Sequence, residues 1–314
     1  MTASDERELL RETVSALVAK HAPPAAVREA MESERGYDEA LWQLLCEQVG
    51  AAALLVPEEL GGAGGTLADA AAVIAELGKG LVPTPLLGTT LAELALLAAD
   101  EPDAEALGRL AQGTAIGAVV FDPDYVVNGD RADIVVEATG DQLIRWTEFV
   151  AEPVTTMDPT RRLARVRPQR TVPMGVDPGI ADTAAILVAV EQVGAAARCL
   201  ELTVNYTKQR VQFGRPIGSF QALKHRMADL YVAVQAAQAL VDDAVAARRR
   251  HRRPWPGLPR ARRSAGWPPR VSSCTAGLRS PGNTTCTCTS NVRTPLPSCS
   301  ARRANTCADS SRKC

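Results

Sequence analysis

Along the first hundred residues, apolar side chains recur every three or four positions, which is the period of an amphipathic α-helix. Glycine- and proline-rich joints at 61–65 and 82–85 interrupt this pattern. The pattern predicts an N-terminal helical bundle over residues 1–112 with short connections. Its four apolar faces consist of Leu9, Leu10, Val14, Leu17 and Val18; Leu41, Leu44, Leu45 and Val49; Ala71, Val73, Ile74 and Leu77; and Leu91, Leu94, Leu97 and Ala98.

From about residue 113 the pattern changes to short runs of β-forming residues. The runs lie at 117–121, 134–137 and 142–146, and Asp-Pro, Asn-Gly and Gly-Asp turn dipeptides separate them. This spacing predicts a small β domain over residues 113–180.

Helical spacing returns at about Asp182, and a second long helix begins near Phe220. The helical pattern fades at Ala247. We therefore predict a C-terminal helical domain over residues 181–247 that is truncated. The predicted fold class is mainly α, with an N-terminal helical bundle, a small β middle domain, an incomplete C-terminal helical bundle and a disordered basic tail.

Composition narrows the class of protein. The chain has 314 residues, 46% hydrophobic and 23% charged, with a formal net charge of −1. These values exclude a collagen-like chain, a coiled coil and wholesale disorder. No stretch approaches the roughly 18 consecutive apolar residues of a membrane helix, and the N-terminus is acidic where a signal peptide is basic. The sequence therefore predicts a cytoplasmic protein that does not enter the membrane.

The near-zero net charge conceals a change of composition at about residue 247. Residues 1–247 contain 20 Lys and Arg against 35 Asp and Glu, whereas residues 248–314 contain 15 against one. The last segment also holds six of the eight Cys but no Phe, Tyr, Met or Ile. Because such a segment cannot bury a core, we expect it to be disordered.

Four interpretations of residues 248–314 are open. The first three are a nucleic-acid-binding arm at 248–253, a disulfide-bonded module, and a metal site at Cys286 and Cys288. The first would need a nucleic-acid reader motif, the second an export signal and the third paired CxxC spacing, and the sequence shows none of these. We therefore predict neither nucleic-acid nor metal binding. The fourth is translation out of frame. Back-translating 273–292 and regrouping the bases permits the reading QLHGGIAFTWEHDLHLYLKR, so we favour a frameshift after about residue 247.

A specific motif, RVQFGRPIGSFQ, occupies residues 210–221 and is followed by KHRMADL at 224–230. Together they closely resemble the acyl-CoA dehydrogenase family. The segment LLVPEELGG at 54–62 agrees with that family in order and spacing. The resemblance spans residues 1–247, and the shifted reading QLHGG resembles the family's C-terminal segment. The chain is identified as a member of the family's actinobacterial type with a short middle domain.

This resemblance implies a flavoprotein oxidoreductase with FAD as cofactor, acting in fatty acid or steroid side-chain catabolism. The implied reaction is α,β-desaturation of an acyl-CoA thioester, in which a glutamate removes the α-proton and the flavin takes the β-hydrogen as hydride. Hydrogen bonds to the thioester carbonyl stabilise the developing enolate. The resemblance also implies a homo- or hetero-oligomer with another family subunit, and electron-transfer flavoprotein as electron acceptor.

The resemblance assigns cofactor-binding roles to four residues. Arg210 matches the arginine that pairs with the FAD pyrophosphate of a neighbouring subunit, a task that suits a guanidinium fork. Phe213 matches the aromatic side chain beside that cofactor, and Phe220 and Gln221 match positions near its adenine end. The alternative interpretation makes Arg210 a solvated helix-end charge and Phe213 a core residue.

The catalytic glutamate of the family has no counterpart in frame. It lies either in the C-terminal segment or early in the helix before the motif, where this chain has Ala184. Asp182 matches an acidic family position, and Glu191, further along the helix, is interpreted as a packing or surface carboxylate. We therefore assign no catalytic residue.

The β domain also departs from the family, because it is short and lacks the flavin-binding loop. Trp146-Thr147 is a faint match to a flavin-contacting pair. Three hypotheses follow: an FAD-dependent acyl-CoA dehydrogenase, a non-catalytic partner subunit of a hetero-oligomeric one, and a flavin-dependent monooxygenase of the same fold. The chain as written is expected to show poor activity and exposed apolar surface on its two C-terminal helices.

Overall fold

The computed structural model of the protein describes residues 3–250. Within them the chain passes from a group of helices to a five-stranded sheet and then to two long helices. The predicted mainly α fold with a small sheet in the middle is therefore confirmed. The predictions of a disordered tail and of a shifted reading frame concern residues 248–314. The first three of these residues continue the last helix, and residues 251–314 lie outside the described residues.

The N-terminal part is helical, as predicted. The four predicted apolar faces fall on α1, α3, α4 and α5. The sequence pattern does not single out α2 and α6, because helices of nine and eight residues contain too few turns to show a clear period. The helices are α1 (Ala3–His21), α2 (Pro24–Glu32), α3 (Glu39–Val49), α4 (Leu67–Gly80), α5 (Leu86–Leu97) and α6 (Ala104–Ala111).

Side chains at the helix ends fix where these helices begin. The Asp38 carboxylate accepts hydrogen bonds from two N–H groups in the first turn of α3, and Gly50 ends that helix with a φ of +65°. Thr66 and Asp69 form a capping box at α4. Burial alone would raise the pKa of Asp69, but hydrogen bonds from Thr66 and from Arg7 of α1 hold it below its ordinary value. The ion pair between Arg7 and Asp69, with 2.9 Å between its atoms, also joins α1 to α4.

The middle of the chain forms a mixed sheet in the order β1-β3-β4-β5-β2. β1 and β3 are parallel, and the other pairs are antiparallel. The predicted runs fall on β1, β3 and β4. The pattern misses β5, because most of this strand is exposed and it contains several arginines and prolines. The strands are β1 (Gly117–Val120), β2 (Val126–Val127), β3 (Ile134–Thr139), β4 (Gln142–Val154) and β5 (Leu163–Val176).

Two long helices, α7 (Ile180–Gln209) and α8 (Gln221–Arg250), complete the described chain. Between them lie a short hairpin of β6 (Val211–Gln212) and β7 (Arg215–Pro216) and a single 3-10 turn. Both predicted C-terminal helices are confirmed.

Both long helices are long and apolar enough to cross a membrane by length and composition alone. Burial within the protein gives another reason for the apolar character of α7. Its side chains Ile180, Leu187 and Val190 belong to the main hydrophobic core, together with apolar side chains of α4 and α5. α7 is therefore a core helix of this fold.

α4 and α7 cross at unusually short range, and two glycines allow it. A Cβ atom at position 78 would lie 2.4 Å from the backbone oxygen of Glu191, and one at position 194 would lie 2.4 Å from the backbone oxygen of Ala75. Both separations are far below van der Waals contact. The two helix backbones touch because Gly78 and Gly194 have no side chain.

The outer surfaces of α7 and α8 carry large apolar side chains that no described residue covers. This observation confirms the exposed apolar surface expected from the sequence. Large exposed apolar areas are typical of interaction sites. The exposed side chains are Leu202, Tyr206, Leu230, Tyr231, Val232 and Leu240.

We expect Gly194→Ala to lower the free energy of unfolding by about 1–3 kcal/mol, because the backbone of Ala75 cannot move away without separating the two helices. Urea denaturation measures this change. Gly108→Ala on α6 is the matched control, since nothing lies within 4 Å of its Cβ position. The control should be stabilised by roughly 0.5–1 kcal/mol. Equal effects of the two substitutions would contradict the helix-crossing argument.

α5 contains a buried glutamate. Glu93 is 1% exposed, and its Oε1 atom is buried without a hydrogen bond to any described residue. Burial raises the pKa of Glu93 well above its ordinary value, because an apolar environment disfavours the carboxylate. The folded protein therefore holds this side chain in its neutral form over a wider pH range than the unfolded chain does.

This difference makes stability depend on pH. An unfolded glutamate has a pKa of about 4.3. Because the folded pKa is higher, stability is lost as the pH rises from the unfolded pKa to the folded one.

The substitution Glu93→Gln introduces a side chain that cannot ionise. We therefore expect the variant to have a free energy of unfolding about 1–2 kcal/mol higher at neutral pH, and this free energy should decline less steeply with rising pH. Denaturation at several pH values measures both effects, and identical slopes for the two proteins would refute the assignment.

Candidate functional site

The hairpin between α7 and α8 is held together by its own backbone. The Ile217 N–H donates to the Arg210 carbonyl at 2.8 Å, and Val211 pairs with Pro216. Phe213 and Gly214 form the turn, with φ values of +52° and +72°. A left-handed φ suits glycine but is unfavourable for phenylalanine. The turn therefore holds Phe213 in a strained backbone conformation at its tip.

The aromatic residues of the motif meet at this hairpin. The rings of Phe213 and Phe220 lie edge to face with their centres 6.1 Å apart, and the Arg215 guanidinium lies 4.3 Å from the centre of the Phe220 ring. Phe213 is 91% exposed, so the interpretation of Phe213 as a core residue is wrong. Gln221 is exposed at the start of α8.

Arg210, the residue that ends α7, is exposed as well. Its backbone N–H donates to Tyr206, but its guanidinium forms no hydrogen bond or ion pair with residues 3–250. All four residues predicted to bind the cofactor thus lie on the hairpin or directly after it, and Arg210 among them has a guanidinium available for an anion. Arg215 was not singled out from the sequence, although it lies inside the same motif.

The N-terminal end of α7 contains Ala184, which is buried. The Asp177 carboxylate accepts hydrogen bonds from the Gly179 and Ile180 N–H groups and so caps the helix. Arg248 reaches back from α8 and donates to the Gly179 carbonyl at 2.6 Å. The position that matches the family's base therefore lies in a packed helix end.

Glu191 lies further along α7 and pairs with Arg161 at 2.5 Å. Burial raises the pKa of Glu191, and the positive charge of Arg161 opposes that rise. Both side chains remain about one quarter exposed. Glu191 was expected to be a packing or surface carboxylate. Its backbone packs against Gly78 of α4, whereas its carboxylate pairs with Arg161, a contact that the sequence does not reveal.

Trp146 is a core side chain rather than a cofactor contact. It is 3% exposed, and its Nε1–H donates to Glu137 at 2.9 Å across the β3–β4 pair. The Thr147 hydroxyl donates to the backbone of Arg170 on β5. The match of Trp146-Thr147 to a flavin-contacting pair is therefore wrong, because both polar groups already have partners within the sheet.

Sequence models of two domains match this chain. The acyl-CoA dehydrogenase N-terminal domain matches residues 4–114, and the acyl-CoA dehydrogenase C-terminal domain matches residues 180–263. The acyl-CoA dehydrogenase IpdE2 of Mycobacterium tuberculosis is 75% identical over 244 residues, which cover 78% of this chain and 77% of the relative. The chain belongs to the acyl-CoA dehydrogenase family.

IpdE2 of Mycolicibacterium smegmatis is a second near relative, 67% identical over 243 residues that cover 77% of this chain and 78% of the relative. Among solved structures, the Tcur3481-Tcur3483 steroid ACAD variant superposes with a TM-score of 0.71 at 25% identity and covers 80% of both chains. The ChsE4-ChsE5 complex from Mycobacterium tuberculosis gives a TM-score of 0.66 at 22% identity over 79% of both chains. Family membership makes the chain a flavoprotein oxidoreductase of fatty acid or lipid metabolism.

The predicted frameshift leads to a direct test. The match to the relative from Mycobacterium tuberculosis leaves 22% of this chain and 23% of the relative unmatched, and a shifted frame leaves remainders of similar length. We expect resequencing across codons 240–314 to reveal a single-base change whose correction encodes QLHGG and TWEHDLHLYLKR. A confirmed sequence without that change would refute the frameshift and establish the cysteine-rich basic segment as genuine.

Proposed function

We propose that this chain is a subunit of an FAD-dependent acyl-CoA dehydrogenase that introduces an α,β double bond into an acyl-CoA, and that it acts in complex with a second family subunit. The observation that carries the proposal is the hairpin after α7. It presents Arg210 and Phe213 outward, where another molecule can reach both. In flavoproteins of this family, the bound FAD is the hydride acceptor for such a reaction.

The residues of the hairpin fit the adenosine diphosphate part of FAD. Arg210, whose guanidinium has no partner within residues 3–250, offers donors to pyrophosphate oxygens, and such a fork binds phosphate through two parallel hydrogen bonds. Phe213 and Phe220 offer ring surfaces, and Gln221 offers an amide. When bound, FAD supplies the acceptor for the β-hydrogen of the substrate. Trp146 is not available to the flavin ring, which is one reason to place that ring against a second subunit.

The missing base supports the same arrangement. Ala184 cannot take the α-proton, and the carboxylate of Glu191 is paired with Arg161. A carboxylate from a partner subunit would remove the α-proton, while this chain would position the cofactor's pyrophosphate. The exposed apolar side chains of α7 and α8 provide a surface for such a partner.

One solved relative supports the substrate and assembly parts of the proposal. The solved relative with 25% identity is described as a steroid ACAD with two named components, Tcur3481 and Tcur3483. We accordingly propose a bulky or steroid-derived acyl-CoA as substrate, a hetero-oligomer as the active form, and electron-transfer flavoprotein as electron acceptor.

Co-expression with a complete family subunit that retains the catalytic glutamate tests this function. We expect bound FAD and acyl-CoA-dependent reduction of an artificial electron acceptor in the purified complex, and neither in this chain alone. FAD and activity in the isolated chain would refute the need for a partner. A complex that binds FAD and keeps its full activity when Arg210 and Phe213 of this chain are substituted would favour a non-catalytic partner role for this chain.

Two substitutions in the hairpin test its contribution to FAD binding. Arg210→Gln removes the charge, and Phe213→Gly removes the ring while suiting the left-handed φ. Losing a charge-assisted hydrogen bond costs about 1.5–3 kcal/mol, so we expect Arg210→Gln to weaken FAD binding by about 10- to 100-fold. Arg198→Gln is the matched control, because Arg198 is exposed on α7 and paired with Glu201 at 2.7 Å. Equal FAD affinity in the Arg210 and Arg198 variants would rule out the pyrophosphate contact.

A further inference from the structure

A polar pocket opens between the helical part of the chain and the sheet. Its volume is about 750 Å³, within the range of roughly 300–1,000 Å³ that is usual for small-molecule sites. One wall contains the loop between α2 and α3 and the start of α3, and the other contains the turn between β2 and β3. Within residues 3–250, no part of α7, α8 or the hairpin lines this pocket. What it binds therefore does not depend on the proposed function.

Carboxylates outnumber cationic groups around the polar pocket. The lining contains four carboxylates, Glu34, Glu39, Asp130 and Asp133, and two guanidinium groups, Arg35 and Arg131. Arg162 does not line the pocket, but its Nε atom lies 2.6 Å from Asp130 Oδ2. With Arg162 included, the carboxylates still outnumber the guanidinium groups by four to three. An excess of negative charge in a concave site raises the local concentration of cations.

Asp130 has one carboxylate oxygen without a partner. Its side chain is 7% exposed, and its Oδ1 atom is buried without a hydrogen bond to any described residue. Leaving a buried carboxylate oxygen unpaired is unfavourable, because the oxygen has lost water without gaining another donor. The Nε atom of the neighbouring Arg131 is likewise buried without a hydrogen bond. A small rotation of Arg131 would therefore open Asp130 Oδ1 to the pocket, where a bound donor would pair with it.

Each wall of the polar pocket also contains a carboxylate with a free acceptor. On the sheet side, Asp133 Oδ2 accepts a hydrogen bond from the Ile116 N–H at 2.9 Å, and its Oδ1 atom makes none with residues 3–250. On the helical side, Glu34 Oε1 lies 3.9 Å from Arg131 Nη1, which is beyond hydrogen-bond distance. Two opposite walls therefore present carboxylate oxygens that remain available to a ligand.

We propose that the polar pocket binds an organic diamine or polyamine, in which one ammonium group pairs with Asp130 and Asp133 and another pairs with Glu34. An ammonium group carries donors only, so it complements carboxylates, which carry acceptors only. A metal ion fits less well, because within the described residues no group of three or more His, Cys, Asp and Glu side chains is placed to hold one. A bound diamine would also link the helical part to the sheet, so it would stabilise the folded chain.

The test is calorimetric titration of the full chain with 1,4-diaminobutane, spermidine, butylamine and magnesium chloride at equal ionic strength. Butylamine has the carbon chain of the diamine but a single ammonium group. We expect the diamine or spermidine to bind at least about tenfold more tightly than butylamine, because a second ammonium group adds a hydrogen bond between charged groups. The tighter amine should also raise the melting temperature. Affinities no higher than that of butylamine, or equally tight binding of magnesium, would overturn the inference.

Two variants locate the site in the polar pocket. Asp133→Asn keeps an oxygen for the Ile116 N–H but removes the charge, and Glu34→Gln changes a side chain that is 91% exposed, so both variants should fold. Each should weaken binding of the tighter amine by about tenfold. Glu152→Gln is the matched control, because Glu152 is exposed on β4 and lies outside the pocket lining. An unchanged affinity in either pocket variant, or an equal loss in the control, would overturn the assignment.

Discussion

The backbone contact between α4 and α7 determines where the other elements of this protein lie. Gly78 touches the backbone of Glu191, and Gly194 touches that of Ala75, so each helix has its small residue where the other is closest. Because α7 is a single helix of 30 residues, fixing its middle also fixes both of its ends. The helix start beside Ala184 and the hairpin beyond Arg210 are therefore positioned by the same crossing.

The crossing also explains the position of a cleft that opens where α4, α5, β2 and the middle of α7 meet. Glu191 provides the backbone atoms that α4 touches and the carboxylate that reaches Arg161. The helices are in direct contact at the crossing, so the cleft opens beside it, where α5 and β2 complete the walls. A wider separation of the helices would move Glu191 relative to Asn128, which lies on a different element. The geometry of the cleft therefore depends on two glycines that do not line it.

Sequence patterns predict the elements of this fold better than their contacts. Long helices such as α4, α7 and α8 repeat an apolar period often enough to be recognised, and the motif at 210–221 identifies the hairpin. Nothing in the pattern indicates that Gly78 meets α7, since this depends on the packing of the whole bundle. Trp146 was misinterpreted because its partner Glu137 becomes visible only through the β3–β4 register. The cleft residues are equally invisible, because each comes from a different segment of the chain.

The hairpin explains how, under the proposed function, a chain that lacks a base could belong to an active enzyme. An exposed phenylalanine ring and a left-handed backbone at the same residue are both unfavourable for an isolated chain. Neither feature packs the hairpin against its own core, so the chain gains no folding stability from them. Under the proposed function, a cofactor or partner that covers the ring and pairs with Arg210 would offset this cost. Under the proposed function, the hairpin therefore serves positioning and recognition, and a contacting subunit would remove the proton.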